Sequence, residues 1–144
     1  MVRVNLILPA KLSDQHLVAE YDEILMLLGY FKRFPALIGI PNEYTLGKGH
    51  MKFFKDKLLY LKKRHDIIKV EMKKRAFKTN VTIDISEFPK ELINDWAPDK
   101  VAFKKIKERL VYKLRSKPDY YRYYGKCKET DFFIKLLELK FSSF

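Results

Sequence analysis

A chain of 144 residues, 47% of them hydrophobic, can bury one proper core and is too apolar to be a disordered polycation. Its 30 Lys plus Arg against 18 Asp plus Glu give a formal charge of +12, which favours a polyanionic partner: DNA, RNA or an anionic membrane surface. The single cysteine, Cys127, excludes an internal disulfide and any multi-cysteine metal site, and no stretch has the make-up of a signal peptide or membrane span, so a cytoplasmic protein is the expectation.

Residues 2–8, VRVNLIL, are β-branched and apolar but have no strong partner strand, so they read as an extended arm packed against helices. Ser13 or Asp14 caps a first helix, whose buried face is Leu17, Tyr21, Ile24 and Leu28 and which should fade near Gly29. Pro35, Gly39, Pro41, Asn42, Gly47 and Gly49 mark residues 30–49 as loop and turns. One long second helix is predicted from about Met51 to Phe77, with Met51, Phe54, Leu58, Leu61, Ile68 and Met72 as its stripe. An irregular segment follows, with one short strand around Val81–Ile85. A third helix starts near Pro98–Asp99 and buries Phe103, Ile106, Leu110 and Leu114. The tail after Cys127 holds DFFIKLLELKF, a short amphipathic helix that covers core. The expected fold is therefore a mainly α, compact single domain over residues 1–144. It has three principal helices and the N-terminal arm against them.

The basic residues cluster on the second and third helices, with eleven Lys or Arg and three acids in residues 51–78 and eight against two in 99–117. That clustering favours function over a charge raised merely by genome composition. Arg109 and Lys113 lie one turn apart and can grip successive phosphates, although spacing alone favours a solvated face. KPDYYRYYGK, residues 117–126, sets four tyrosines among cations, a pattern that stacks on bases while holding phosphates. Of Tyr120, Tyr121, Tyr123 and Tyr124, about half should be core. GKGH at 47–50 is too short for a phosphate loop and reads as a glycine turn. His16, His50 and His65 lack metal-ligand spacing, so no metal is expected.

DQHLVAEYDEI, residues 14–24, runs against this charge. From Leu12 to Tyr30 there is no Lys or Arg, yet Asp14, Glu20, Asp22 and Glu23 are all acidic. On a wheel of about 100° per residue, Glu23 lies about 20° from His16 on one side and Glu20 about 40° on the other. His16, Glu20 and Glu23 thus share a polar edge beside the core, and Asp22 points elsewhere. An acid at a phosphate-binding surface faces away, pairs with a cation or is a catalyst. Spacing favours pairing for Glu20 and leaves Glu23 divided between pairing and catalysis.

RVNL at 3–6, LSDQHLVAEYDE at 12–23, LGKGHMKFFKDKLLYLKKR at 46–64, DISEFPKEL at 84–92 and KPDYYRYYGK at 117–126 occur in order with compatible spacing. In these stretches the chain resembles the phage-type pyrimidine-dimer DNA glycosylases, the ultraviolet endonucleases called endonuclease V. The likeness covers most of 2–29 and 44–126, not the shortened 30–43 loop, and leaves 127–144 as an extra helical tail. It implies a bifunctional glycosylase and abasic-site lyase, prokaryotic or viral, that excises cyclobutane pyrimidine dimers from duplex DNA. Other readings are an abasic-site lyase or damaged-purine glycosylase on the same fold, or a non-enzymatic DNA-binding protein. A membrane-surface protein is the weakest, because the basic faces lack a large apolar insertion face.

By the same resemblance, the nucleophile is the α-amine exposed on removal of Met1, here that of Val2, and the catalytic glutamate is Glu23. Arg3 and His16 fall on positions lining the site. Arg109, Lys113, Tyr120, Tyr121, Arg122, Tyr124 and Lys126 fall on the DNA-contacting face. No cofactor and no metal are implied. The partner is duplex DNA bearing dimers or abasic sites, with no membrane, and the protein would act as a monomer. Asp22 and Met26 depart from the pattern, since the family's best-known member is basic at both.

Overall fold

The computed structural model describes residues 3–139. Ser13 caps helix α1 (Asp14–Arg33), its hydroxyl accepting from the His16 amide at 3.1 Å, and Lys32 and Arg33 complement the negative C-terminal end. Leu17, Tyr21, Ile24, Leu27, Leu28 and Phe31 form the buried face. The helix passes Gly29, where the sequence predicts its end. A helical glycine costs about 1 kcal/mol, whereas burying Phe31, fully enclosed, returns about 2–3 kcal/mol. Burial wins, and the last turn closes through the Phe34 amide on the Tyr30 carbonyl at 3.0 Å.

The single long second helix is a misreading. The chain forms a short helix α2 (His50–Phe53), turns, and resumes as α3 (Leu58–Lys74). Phe53, Phe54 and Lys55 are consecutive and all buried, and a straight helix would spread them over about 200°. Lys57, at φ −129° and ψ 42°, makes the break, and its ammonium donates to the Phe53 carbonyl at 2.9 Å. The turn seats Phe53 and Phe54 in a cluster with Tyr44, Tyr60 and Trp96. α3 stops three residues before Phe77. Ala76 takes φ 65°, and the Ala76 and Phe77 amides donate back to the Lys73 and Met72 carbonyls. This is a Schellman closure without its usual glycine, so no sequence signal marks it.

Val81–Ile85 is not a strand. It runs without regular structure beside α1, with Ile83 buried, Val81 exposed and the Val81 amide donating to the Tyr21 hydroxyl. The sheet found among the described residues is elsewhere: a hairpin of β1 (Arg122–Tyr123) and β2 (Lys126–Cys127). Tyr124 and Gly125 form its turn, both at positive φ, as a type I′ turn requires. Helix α4 (Lys100–Ser116) starts where expected, with the Asp99 carboxylate accepting from the Ala102 amide at 2.8 Å. Ala102, Ile106, Leu110 and Leu114 are its buried positions. Phe103, expected in the core, is 41% exposed, because α4 turns that edge towards an open groove. Helix α5 (Thr130–Glu138) lies against α4 and buries Phe133 and Leu137.

Two buried ion networks join these parts. α1 packs on α3, and between them Glu20 and Arg64 form a two-pronged pair at 2.7 and 3.0 Å, both essentially unexposed. Arg75 reaches Glu71, Asp14 and the carbonyls of Pro9 and Leu12, with the Tyr123 and Tyr124 rings over its guanidinium. Asp14 also accepts from the Tyr124 and Gly125 amides. That hub ties the turn between the arm and α1 to α1, α3 and the hairpin. No helix among the described residues is long and apolar enough to cross a membrane.

Candidate active site

The arm, α1 and α4 converge on a cleft of about 250 Å3. The arm contributes Arg3 and Asn5, α1 contributes Gln15 and His16, and α4 contributes Arg109 and Lys113. Lys117, Tyr120 and Tyr121 line it from the segment after α4. Among the described residues lining this cleft there are four cations and no carboxylate. Such a concave basic surface concentrates anions. A larger groove of about 640 Å3, lined by Leu6, Tyr60, Ile67, Trp96 and Phe103 among others, is mostly apolar and contains none of the predicted site residues. A sugar-phosphate chain fits the chemistry of the first.

Each cleft residue is held by its own element. Arg3 Nε donates to the Leu46 carbonyl. Gln15 grips the tyrosine segment at both ends of its amide, donating to the Tyr120 carbonyl and accepting from the Arg122 amide, each at 2.9 Å. The His16 ring stacks on Tyr121 with centroids 4.7 Å apart, and its Nδ1 lies 3.0 Å from the Ser13 hydroxyl. Burial first, then Arg109 and Lys113, lower the His16 pKa to about 4, so the imidazole is neutral at physiological pH. Arg109 and Lys113 are both half-buried in the cleft wall, not on a freely solvated face.

The acids of α1 divide by environment. Glu20 is consumed by Arg64, and Asp14 by Arg75 and the hairpin amides. Asp22 faces solvent. Glu23 is half-buried on the same side of α1 as His16. Burial raises its carboxyl pKa, opposed by the charge of Arg3. Arg3 thus acts electrostatically on Glu23 while its side chain lines the cleft.

The structure brings Arg3, His16, Arg109, Lys113, Tyr120 and Tyr121 together; Glu23 does not itself line the cleft but lies two turns along the same side of α1 as His16, within electrostatic reach of Arg3. Val2 lies outside the described residues. Arg122, Tyr124 and Lys126 sit on the hairpin and do not line the cleft: Tyr124 donates its hydroxyl to Glu71, and Arg122 leans on the Gly125 carbonyl. Of the four clustered tyrosines, Tyr121 is buried, Tyr123 half-buried, and Tyr120 and Tyr124 exposed, the division the sequence predicts. Sequence reasoning missed Asn5 and Gln15, and did not single out Lys117 within the 117–126 stretch. A lone amide carries no chemical signal of its own; only the chain reversal after α4 brings these residues together.

Binding of duplex DNA, the partner that the sequence resemblance implies, should weaken steeply with salt. Arg109→Ala and Lys113→Ala should each reduce the slope of log affinity against log salt by about 0.9, one phosphate contact. Fluorescence anisotropy across a salt series measures this, and unchanged slopes would remove both residues from the DNA face.

A family model described as pyrimidine dimer DNA glycosylase matches residues 1–84. That span contains the arm, α1, α2 and α3, and therefore Arg3, His16 and Glu23. α4 and the tyrosine hairpin lie beyond it.

Proposed function

Since the chain belongs to the pyrimidine dimer DNA glycosylase family, we propose that it excises cyclobutane pyrimidine dimers from duplex DNA and then cuts the strand as an abasic-site lyase. The observation that carries the site assignment is Glu23, a half-buried carboxyl on the α1 face that also presents His16 to the cationic cleft. The four cations there suit the phosphates on either side of a lesion. Tyr120, half exposed, suits stacking on an unpaired base.

The nucleophile is the α-amine of Val2, freed by removal of Met1. An α-amine has a pKa of about 7.7–8.0 and is unprotonated far more often near neutrality than a lysine. It attacks C1′ of the damaged nucleotide as the glycosidic bond breaks and the base leaves with the bonding pair. Positive charge builds on the sugar, and the Glu23 carboxylate stabilises it. The amine nitrogen passes a proton to O4′ as the C1′–O4′ bond breaks and the ring opens, giving a protonated imine between Val2 and C1′. The imine acidifies C2′–H; loss of that proton and departure of the 3′ phosphate complete β-elimination. A Glu23 carboxyl with a raised pKa is suited to relaying these protons. Arg3 and His16 shape the site around them.

Ultraviolet-irradiated plasmid, beside an unirradiated control, should be nicked by the purified protein. Borohydride should trap a covalent adduct that peptide mapping places on the Val2 nitrogen. Nicking of abasic but not irradiated plasmid would leave a lyase without the glycosylase. An adduct on a lysine such as Lys48 would overturn the amine assignment.

A further inference from the structure

The backbone of one arm residue is held in an unusual way. The Val4 amide donates to His50 Nε2 at 3.1 Å, and the Val4 carbonyl accepts from the Tyr44 hydroxyl at 2.7 Å. Buried backbone polar groups are ordinarily satisfied by other backbone groups, in helices and sheets. Here both polar groups of a fully buried residue are taken by side chains from the 44–50 segment. The same segment holds Arg3 through the Leu46 carbonyl. His50 is itself fixed. Its Nε2 must accept from Val4, so the ring proton sits on Nδ1 and is donated to the Thr45 carbonyl at 2.7 Å. Gly49 delivers the ring: at φ 102°, with Pro41 only 3.1 Å from where a Cβ would stand, the position admits little but glycine.

We propose that Tyr44 and His50 are positioning residues for the reactive amine: they lock the register of the N-terminal arm at Val4. This rests on the reading of Val2 as nucleophile. Apolar burial of Val4, Leu6 and Ile7 holds the arm down but is non-directional and resists sliding weakly. Slipping by one residue moves an extended chain by about 3.3 Å. Attack on C1′ requires the reacting atoms about 3–3.5 Å apart, and a 1 Å misplacement can cost about 100-fold in rate. An anchor two residues from the amine limits that error to what two peptide units can absorb. A merely buried arm would not.

The test measures single-turnover formation of the borohydride-trapped imine on dimer-containing duplex, with DNA affinity and thermal unfolding measured in parallel. Tyr44→Phe keeps the ring in its aromatic cluster and removes only the hydroxyl. It should slow imine formation about 10-fold or more while Kd changes less than about twofold. His50→Ala should do the same or worse. His50→Gln should recover most of the rate, because its amide can accept from the Val4 amide and donate to the Thr45 carbonyl. A folded Tyr44→Phe that traps at the wild-type rate overturns the clamp, as does a loss that follows Kd or the folded fraction alone. Absence of trapping in the wild type overturns the amine reading itself and the clamp with it. The two failures are therefore distinct.

Discussion

Glu23→Gln should leave the protein folded and bound to DNA but slow base removal by about 100- to 1,000-fold, equivalent to about 3–4 kcal/mol of transition-state stabilisation. The substitution preserves shape and removes one negative charge. In the ground state that charge faces a polyanion, so losing it should leave affinity unchanged or tighten it. In the transition state it faces an electron-deficient sugar, and its loss is then fully felt. This is the signature of an interaction made only as the bond breaks. Burial raises the Glu23 pKa, with Arg3 opposing. The wild-type rate should therefore begin to fall, as pH drops, at a higher pH than a free glutamate would dictate. Single-turnover base release from a dimer-containing duplex, alongside anisotropy binding, provides both readings. A variant within about threefold of wild type would make Glu23 an acid of no catalytic consequence.

Glu20→Gln, one helical turn away, should fail in the opposite manner. Glu20 and Arg64 are both buried, and burial alone would lower the Arg64 pKa. Glu20's charge and hydrogen bonds more than offset this and raise it. Removing the carboxylate strands a guanidinium between α1 and α3. Breaking such a buried pair costs about 3–5 kcal/mol, a large share of the about 5–15 kcal/mol that holds a domain together. Thermal unfolding should fall by about 10 °C or more. Per folded molecule, well below the transition, trapping and DNA affinity should stay near wild type. A Glu20→Gln protein as stable as wild type but catalytically dead would exchange the roles of the two glutamates. Replacing Glu20 and Arg64 together by apolar residues of similar volume should restore much of the stability, because no stranded charge remains.

The parts of the fold that the sequence anticipates are governed by neighbours within a few residues. The Ser13 and Asp99 caps are chemical facts about three-residue spans, and both form the hydrogen bonds expected of them. Leu17, Tyr21, Ile24 and Leu28 on α1, and Ile106, Leu110 and Leu114 on α4, face inward as their spacing requires. The same wheel puts His16 and Glu23 on one edge and predicts a partner for Glu20, though not which one. The match over residues 1–84 supports the family the sequence motifs suggest.

Where prediction fails, a distant contact has overruled a local preference. Gly29 should weaken α1, but Phe31 has a core to enter. The 51–77 stripe reads as one helix, yet Phe53 and Phe54 are both drawn to Tyr44, Tyr60 and Trp96, which forces the turn at Lys57. Ala76 accepts a left-handed conformation that no sequence rule would give it, in company with Arg75, whose ligands lie more than sixty residues away at Pro9, Leu12 and Asp14.

The sequence by itself determined the helical class, the basic charge that calls for a polyanionic partner, the capped starts of α1 and α4, and the edge of α1 that pairs His16 with Glu23. Each depends on periodicity or composition, which are properties of short windows. Tertiary structure alone decided that Arg3 and Gln15 meet Arg109 and Lys113 in one cleft. It also decided that Glu20 is spent on Arg64 while Glu23 is left beside Arg3, and that His50 holds the arm. These outcomes depend on which residues far apart in the chain share the same desolvated space. There an unpaired charge or backbone group is costly, and the partner that satisfies it is set by packing, not by spacing.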